Sequence, residues 1–330
     1  MTTPAAPHRS GWIHELFLHS TTVEMVKFVI RFAQDGVDAE EPTLLELRPD
    51  TAAIVQEAVA PSPHLTVLPA MGQPARPASD LRAADALLTR YRPYVRRVRI
   101  LNQEPTVPKE HWHEWRRLEA VVNVALAHHN AWAVCVYDQR VLAAEQVEDL
   151  CATHPVIRQG DQDLRNDRYQ DPVEFASARR DAPPDPVEQT APAVELTDPS
   201  PVTARAAVIG FARRTELASA EVEGLVLATS EAVTNAIVHG QSPIVLRLWA
   251  QPDRVTVTVT DTGRGPTDPF VGLLAPDTAD GRGLGLWICH QLVDVTHRRR
   301  PGGYTVRMTA TRPRTAGGRG ASDHPGPQAL

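Results

Sequence analysis

Apolar and polar residues alternate along the first half of the chain in blocks that predict short strands separated by helices. Apolar runs typical of buried strands lie at 13–18, 43–47, 65–68, 95–101 and 132–136. Apolar residues at helical spacing lie between and after them, at 23–33, 51–59, 81–91, 112–127 and 143–152. This alternation predicts a parallel sheet with helices on both faces.

The pattern changes around residue 171 and then becomes periodic again. Seven prolines between 172 and 201, set among acidic and small residues, predict a semi-rigid linker at 171–193. Beyond it, helices are predicted at 202–214, 220–238 and 284–295, and strands at 244–250, 254–260 and 304–311. The predicted organisation is one domain at 10–170, the linker, a second domain at 194–313 and a disordered tail at 314–330.

Composition predicts a cytoplasmic protein without direct nucleic-acid or membrane partners. The net charge of −6 gives no general attraction to nucleic-acid phosphates, and the Arg298–Arg300 run is expected in a solvated turn. No apolar signal-peptide core opens the chain, and no run of about 18 apolar residues predicts a membrane span. The three cysteines form no CxxC pair, which fits a reducing compartment.

Polar residues share one face of the predicted helix at 220–238. Glu231, Asn235 and His239 recur every four residues among apolar neighbours. A carboxylate there can accept or orient a proton, and an amide oxygen one turn away can ligate a hard cation such as Mg²⁺. Gly240 predicts a left-handed stop after the helix. Taken alone, the pattern fits a surface helix with a solvated polar face better than a site.

A second segment closes the predicted strand at 254–260. Asp261 stands at the strand end, where a buried carboxylate can accept a hydrogen bond from an exocyclic amine. Gly263 and Gly265 follow and permit close approach of the backbone to a ligand. In isolation, an ordinary Asp-Thr-Gly turn is the better interpretation.

A third segment leads into an apolar helix and carries Gly281, Arg282, Gly283 and Gly285. Successive free backbone N–H groups at a helix N-terminus form a natural cradle for phosphate. One glycine-rich loop is weak evidence by itself. The order of all three segments is stronger evidence, because a chance match of the whole series is rare.

Together the segments resemble the N, G1 and G2 boxes of the GHKL, or Bergerat-fold, ATPases, over about residues 194–312. The resemblance implies a two-layer α/β sandwich, with helices on one face of a mixed sheet, that binds ATP and Mg²⁺. It implies that Glu231 is the catalytic base or water-orienting acid, that Asn235 is the Mg²⁺ ligand and that Asp261 reads the adenine amine. The other nucleotide-binding residues it implies are Gly263, Gly265, Gly281, Arg282 as a phosphate contact, Gly283 and Gly285.

One position departs from the family pattern. The family usually has Gly-Thr near the last strand, where the threonine aids the adenine contact, whereas this chain has Gly303-Tyr304-Thr305. Either Thr305 or a water molecule is expected to take that place.

The Glu-Ala-x-x-Asn-Ala-x-x-His-Gly pattern at 231–240 and a short lid at 266–280 are most similar to the anti-sigma-factor serine kinases. That resemblance implies phosphorylation of a serine on a STAS-type anti-anti-sigma partner, binding of a sigma factor and a homodimer. Gyrase-like and MutL-like ATPases are disfavoured because only a short tail follows the second domain. No histidine lies between 160 and 200, where the prolines also prevent the long helix of a sensor histidine kinase.

The first domain contains no Gly-x-x-x-x-Gly-Lys-Ser/Thr segment, so a second ATPase is not expected. His14, the helix at 112–123, the segment 135–138 and the segment 153–155 resemble the MEDS sensory domain over about residues 10–170. The resemblance implies a RecA-like parallel α/β sandwich without a P-loop, and a small organic ligand. Cys135, Tyr137 and His154 are candidate binding residues.

Several histidines and two cysteines of this domain raise the possibility of a metal site. Their spacings fit no regular ligand pattern, so exposed helix histidines and buried structural cysteines are the favoured interpretation. The residues concerned are His111, His113, His128, His129, His154, Cys135 and Cys151.

The sequence therefore predicts an ATP-dependent regulatory protein kinase of the anti-sigma type under the control of a sensory domain. Two alternatives stay open: a non-catalytic ATP-dependent clamp that sequesters a partner, and an orphan histidine kinase that lacks its own phosphoacceptor domain. The presence of both Glu231 and Asn235 favours the enzyme, since a clamp has less need of both.

Overall fold

The protein is described by a computed structural model over residues 11–70, 76–92, 95–107, 109–159, 162–179, 181–275 and 283–312. Within these ranges the chain divides into two compact units. The first unit contains 11–70 and 81–175, and the second contains 176–312 together with 76–80. Among the described residues, none of the helices has the length and apolar character of a membrane-spanning segment. The exact boundaries of the linker and of the tail at 314–330 stay predictions.

The first unit is built on a seven-stranded sheet in the order β3-β2-β4-β5-β1-β6-β7. Its strands are β1 Ile13–His19, β2 Thr43–Leu47, β3 Leu65–Pro69, β4 Val98–Gln103, β5 Ala131–Asp138, β6 Val156–Gln159 and β7 Gln162–Arg165. All pairs are parallel except β6–β7, so the predicted parallel sheet is confirmed. Its helices are α1 Thr22–Asp38, α2 Pro49–Ala58, α3 Pro77–Tyr91, α4 Trp112–Ala125 and α5 Ala144–Thr153.

Helices cover both faces of this sheet because alternate strand residues face opposite sides. On one face, Phe17 and Leu45 pack with Phe32 of α1 and Val55 of α2. On the other face, a second cluster joins the sheet to α4 and α5; its buried members are Leu16, Val107, Trp112, Trp115, Cys135, Tyr137, Leu150 and Cys151. This second cluster surrounds polar side chains that are described below.

The second unit has a five-stranded sheet in the order β11-β12-β10-β9-β8. The strands are β8 Val194–Thr197, β9 Val245–Gln251, β10 Arg254–Asp261, β11 Asp294–Arg300 and β12 Gly303–Thr311. The helices are α7 Pro201–Ala212, α8 Ser219–His239 and α9 Leu284–Leu292, and α6 Pro172–Ala178 spans the point in the sequence at which the two units divide. Each pairing of these described strands is antiparallel, whereas a mixed sheet was expected.

Two local predictions near the end of the chain are wrong. The helix expected at 284–295 ends at Leu292, and β11 begins two residues later. The Arg298–Arg300 run lies in β11, paired with β12, rather than in a solvated turn. Alternation across this strand turns Arg298 toward Glu188, whose carboxylate accepts a hydrogen bond from it at 2.5 Å.

The proline-rich stretch that was predicted as a linker packs partly on the second sheet. A 3₁₀ turn at Pro186–Gln189 brings Glu188 to Arg298 and Arg307, at 2.5 and 3.0 Å. Trp249 donates its indole N–H to the carbonyl of Thr190 at 3.1 Å. In the register of the sheet, Trp249 lies opposite Thr256 and Arg307 lies opposite Thr258, with their side chains on the face away from the helices. Residues 182–190 therefore cover the face of the sheet that α7, α8 and α9 leave open.

Candidate functional site

Helix α8 presents two polar side chains beside its buried face. Ala228, Ala232 and Ala236 of this helix pack on the sheet. Glu231 and Asn235 lie one turn apart and are half-buried. Within the described ranges neither side chain has a hydrogen-bond or ion-pair partner, although each has four residues of helix on either side to hold it in place. Half-buried polar groups of this kind are suited to receive a ligand.

The start of α9 lies directly against this polar face. A Cβ atom at Gly285 would stand 2.6 Å from Oε2 of Glu231 and 3.6 Å from Nδ2 of Asn235. Gly283, the N-cap residue of α9, has a φ of +83°, which glycine adopts without strain. Burial, followed by the negative charge of Glu231, raises the pKa of the Cys289 thiol in α9 to about 12. The structure thus brings Glu231 and Asn235 together with Gly285 in the first turn of α9.

Asp261 lies at the C-terminal end of α8, against Gly240. Its Oδ1 accepts hydrogen bonds from the backbone N–H of Gly263 at 2.6 Å and of Gln241 at 3.3 Å. The side chain is almost completely buried, and Oδ2 has no hydrogen-bond partner in the described part of the chain. One oxygen is therefore fixed by the loop, and the other remains able to accept a hydrogen bond from a ligand.

Gly240 is required by packing and not by a left-handed backbone. Its φ is −89° and its ψ is −162°, so the prediction of a left-handed stop is wrong. A Cβ atom at this position would lie 2.6 Å from Cγ of Asp261 and 2.6 Å from the carbonyl oxygen of Ala236. The glycine lets the Asp261 carboxylate rest on the end of α8.

We expect Gly240→Ala to lower the free energy of unfolding of the second unit by about 1–3 kcal/mol, because the added methyl overpacks this contact. Gly210→Ala is the matched control. Gly210 lies in α7 with nothing within 4 Å of its Cβ position. That change is expected to stabilise the helix by about 0.5–1 kcal/mol. Denaturant unfolding followed by circular dichroism measures both, and equal effects of the two alanines would contradict the packing argument.

The two predicted glycines after Asp261 have different neighbours. The N–H of Gly263 binds the Asp261 carboxylate, as described above. Gly265 has a φ of +66°, and a Cβ atom there would stand 2.3 Å from the Tyr304 ring. Tyr304 in turn contacts Nδ1 of His297 through its hydroxyl at 2.5 Å, and Nε2 of His297 lies 3.0 Å from Nε2 of His290.

Thr305, which was predicted to contact the nucleotide beside Asp261, does not share a face of the sheet with Asp261. Asp261 pairs with Tyr304, and Thr260 pairs with Thr305. Because successive residues of a strand point to opposite faces, Thr305 lies on the face away from Asp261. Its hydroxyl contacts that of Thr260 at 3.0 Å and accepts a hydrogen bond from Arg300 at 3.1 Å.

Gly281 and Arg282 lie outside the described residues, so the cradle is described only from Gly283 onward. The described groups follow the axis of α8 in order. Asp261 packs against Gly240. Measured from Gly240 along the helix axis toward the N-terminus of α8, Asn235 lies roughly 8 Å away and Glu231 roughly 13 Å away. A carboxylate acceptor thus lies at one end, and an acid, an amide and a glycine-rich helix start lie toward the other.

The contacts of Tyr304 with His297 and of His297 with His290 could not be predicted directly from the sequence. Two glycines provide an indirect signal. Gly265 and Gly272, both with positive φ, stand against the rings of Tyr304 and His290. Each glycine leaves the space that a ring occupies.

Two family models match the chain. Residues 195–310 match the histidine kinase-like ATPase domain. Residues 13–155 match MEDS, the methanogen/methylotroph, DcmR sensory domain. No curated protein matches the chain significantly.

Solved structures show weak likeness. The RsbU and RsbW domains of Rv1364c from Mycobacterium tuberculosis are 22% identical over 37% of this chain and 32% of that chain, with a TM-score of 0.27. The catalytic domain of the histidine kinase ThkA is 16% identical over 28% of this chain and 68% of that chain, with a TM-score of 0.24. The histidine kinase domain of the E. coli osmosensor EnvZ is 20% identical over 41% of this chain and 98% of that chain, with a TM-score of 0.23.

The chain thus spans about a third of the Rv1364c structure. Likeness of this degree indicates no activity. The two family matches agree with the two units and with the parallel and antiparallel sheets described above. Residues 13–155 are therefore similar to a MEDS sensory domain, and residues 195–310 to a histidine kinase-like ATPase domain.

Proposed function

We propose that this protein is an ATP-dependent serine kinase of the anti-sigma type that phosphorylates a STAS-type anti-anti-sigma partner. The observation that carries the proposal is the row along α8. Glu231 and Asn235 are half-buried without partners in the described ranges, next to the glycine start of α9, and Asp261 keeps one oxygen available at the far end. An acid and an amide at the phosphate end favour catalysis over a non-catalytic clamp.

The residues fit ATP in chemistry and in order. Oδ2 of Asp261 can accept a hydrogen bond from the adenine amine. The N–H groups at the start of α9 can donate to phosphate oxygens, and the absent side chain of Gly285 leaves room for them beside Glu231. Gly281 and Arg282 are proposed to extend this cradle. The side-chain oxygen of Asn235 would hold Mg²⁺, which neutralises charge on the phosphates when bound.

Glu231 is proposed to act on the serine of the partner. Its carboxylate accepts the hydroxyl proton while the serine oxygen forms a bond to the γ-phosphorus. The bond from that phosphorus to the bridging oxygen breaks, and ADP leaves. The rest of the catalysis is positioning and charge neutralisation, which a rigid helix such as α8 can supply.

The MEDS domain supports a sensory role for the first unit. We propose that it controls the kinase in response to a small organic ligand, with residues 171–193 as the connecting segment. We further propose that the protein works as a homodimer that can also hold a sigma factor.

Phosphoryl transfer from labelled ATP tests the proposed function. The full chain is incubated with γ-labelled ATP, Mg²⁺ and a purified STAS-domain protein, beside a copy of that protein with its candidate serine changed to alanine. Acid-stable label on the first and none on the second is the expected result. Acid-labile label would indicate transfer to histidine, and ATP binding without any label would favour the clamp. Either outcome would contradict the proposal that the protein is a serine kinase.

A further inference from the structure

Four side chains with metal-ligating atoms converge inside the first unit. His14 comes from β1, Cys135 from β5, Glu119 from α4, and His154 directly follows α5. We call these four residues the His–Cys–Glu cluster. All four are buried, with exposed fractions from 0 to 5%. Their ligating atoms all lie within 4.8 Å of one another.

Hydrogen bonds fix which nitrogen of each histidine faces the cluster. Nδ1 of His154 lies 2.8 Å from the carbonyl oxygen of Leu150, which can only accept, so Nδ1 carries the proton. Nδ1 of His14 lies 3.1 Å from Oδ1 of Asn123. The amide of Asn123 is oriented by its own donations to the carbonyls of Glu119 and Thr153, at 3.2 and 2.7 Å. Both Nε2 atoms therefore present lone pairs to the cluster, in the arrangement typical of metal-bound histidine.

The carboxylate of Glu119 is oriented in the same way. Trp115 donates to the hydroxyl of Tyr137 at 2.6 Å, and that hydroxyl donates to Oε1 of Glu119. Oε2 is then directed at the histidines, 3.5 Å from Nε2 of His14 and 3.4 Å from Nε2 of His154. Three acceptor atoms thus face one another in the interior, an arrangement that is costly unless a proton or a cation lies between them.

Three of the six separations between the ligand atoms lie in the range of a tetrahedral metal site. Zn²⁺ bonds of about 2.0–2.3 Å at tetrahedral angles place the ligand atoms about 3.3–3.6 Å apart. Nε2 of His14 lies 3.4 Å from Sγ of Cys135 and 3.5 Å from Oε2 of Glu119. Nε2 of His154 is buried and makes no hydrogen bond in the described part of the chain. We propose that the His–Cys–Glu cluster is a closed binding site for a divalent transition-metal ion, of which Zn²⁺ is the best match.

The two histidines are held in the neutral form that a metal ligand needs, whereas burial opposes ionisation of Glu119 and Cys135. Burial lowers the pKa of His14 well below its usual range and that of His154 to about 4, so both imidazoles are neutral, as ligands must be. Burial also raises the pKa of Glu119 to about 7 and that of the Cys135 thiol well above its usual range. A dication balances the charge of one thiolate and one carboxylate, which removes the cost of ionising them in the interior.

A closed site with four protein ligands has the character of a structural or sensing centre, because no position is left for a reacting water. The ion would tie β1 and β5 to α4 and to the end of α5. All four ligands lie in the first unit, so the metal site is independent of the kinase proposal.

Cobalt substitution in the full chain tests the site. The protein is treated with a chelator, dialysed and titrated with Co²⁺. A thiolate-to-cobalt charge-transfer band and the d–d bands of tetrahedral Co²⁺ are expected at one ion per chain, with loss of both on addition of Zn²⁺. Thermal unfolding with and without Zn²⁺ provides a second measurement on the wild-type chain, and a higher transition temperature is expected with the ion.

Variants locate the ion. Cys135→Ser is expected to lose the charge-transfer band, and His154→Gln to bind Co²⁺ at least about 100-fold more weakly. Cys151→Ser is the matched control, since Cys151 is equally buried but lies outside the cluster. His128→Ala removes a ligand from the more exposed group formed by Asp85, His128 and His129, and should leave the spectrum unchanged.

Three results would overturn the proposal: no tetrahedral spectrum in the wild-type chain, a charge-transfer band that survives Cys135→Ser, or loss of binding in His128→Ala. If Cys135→Ser and His154→Gln do not fold, the cobalt spectrum of the wild-type chain and its shift in unfolding temperature still show whether the cluster binds an ion.

Discussion

Glu231→Gln is expected to lower the rate of phosphoryl transfer to the partner by about 10²- to 10⁴-fold, the usual contribution of a general base. Glutamine has the shape of glutamate but cannot accept the proton of the serine. Because the side chain keeps its size against the position of Gly285, the start of α9 should not shift. ATP affinity is therefore expected to change little. Single-turnover transfer of label measures the rate, and calorimetry measures the affinity.

Glu223→Gln provides the control for this experiment. Glu223 lies on the same helix two turns earlier and is exposed, so its replacement should leave both the rate and the affinity unchanged. A Glu231→Gln protein that transfers phosphate as fast as wild type would exclude the role of base. Loss of ATP binding in that variant would instead indicate that Glu231 places the nucleotide.

Much of the candidate site could be predicted because its residues form short contiguous segments. The spacing of Glu231 and Asn235 places them on one helix face. Asp261 ends β10 next to two glycines, so its local surroundings are set by adjacent residues of the sequence. The face of the sheet on which Thr305 lies could not be predicted from similarity alone. Tyr304 stands between Gly303 and Thr305, where the family usually has Gly-Thr, and a shift of one position in a strand turns a side chain to the other face.

Long-range contacts account for the remaining differences. The strands of the first sheet could be predicted from continuous apolar runs, but the His–Cys–Glu cluster could not, because its ligands come from four separate elements. Prolines predicted a linker at 171–193. They gave no sign that Glu188 pairs with Arg298 and Arg307, which are more than a hundred residues away. Such pairs depend on the folded sheet.

Asp261→Asn is expected to weaken ATP binding by about 100-fold. The asparagine oxygen can keep both hydrogen bonds that Oδ1 now accepts, from Gly263 and Gln241, so the loop should hold its shape. Its amide nitrogen then replaces Oδ2 and directs a donor at the adenine amine, which is also a donor. A buried donor without an acceptor, and the loss of a charged hydrogen bond, together cost about 3 kcal/mol, and each 1.4 kcal/mol is about tenfold in affinity.

The base of the nucleotide provides the discriminating control. Inosine triphosphate has a carbonyl oxygen where adenine has its amine, so the asparagine donor can pair with it. The ratio of ATP to inosine triphosphate affinity should therefore fall by at least about tenfold in Asp261→Asn, measured by calorimetry on the full chain. Asp253→Asn, at the opposite end of β10 and exposed, should alter neither affinity. If both nucleotides weaken equally in Asp261→Asn, the residue shapes the loop and does not read the base. Such a result would leave the proton-transfer role of Glu231 untouched, since Glu231 stands roughly 13 Å away along α8.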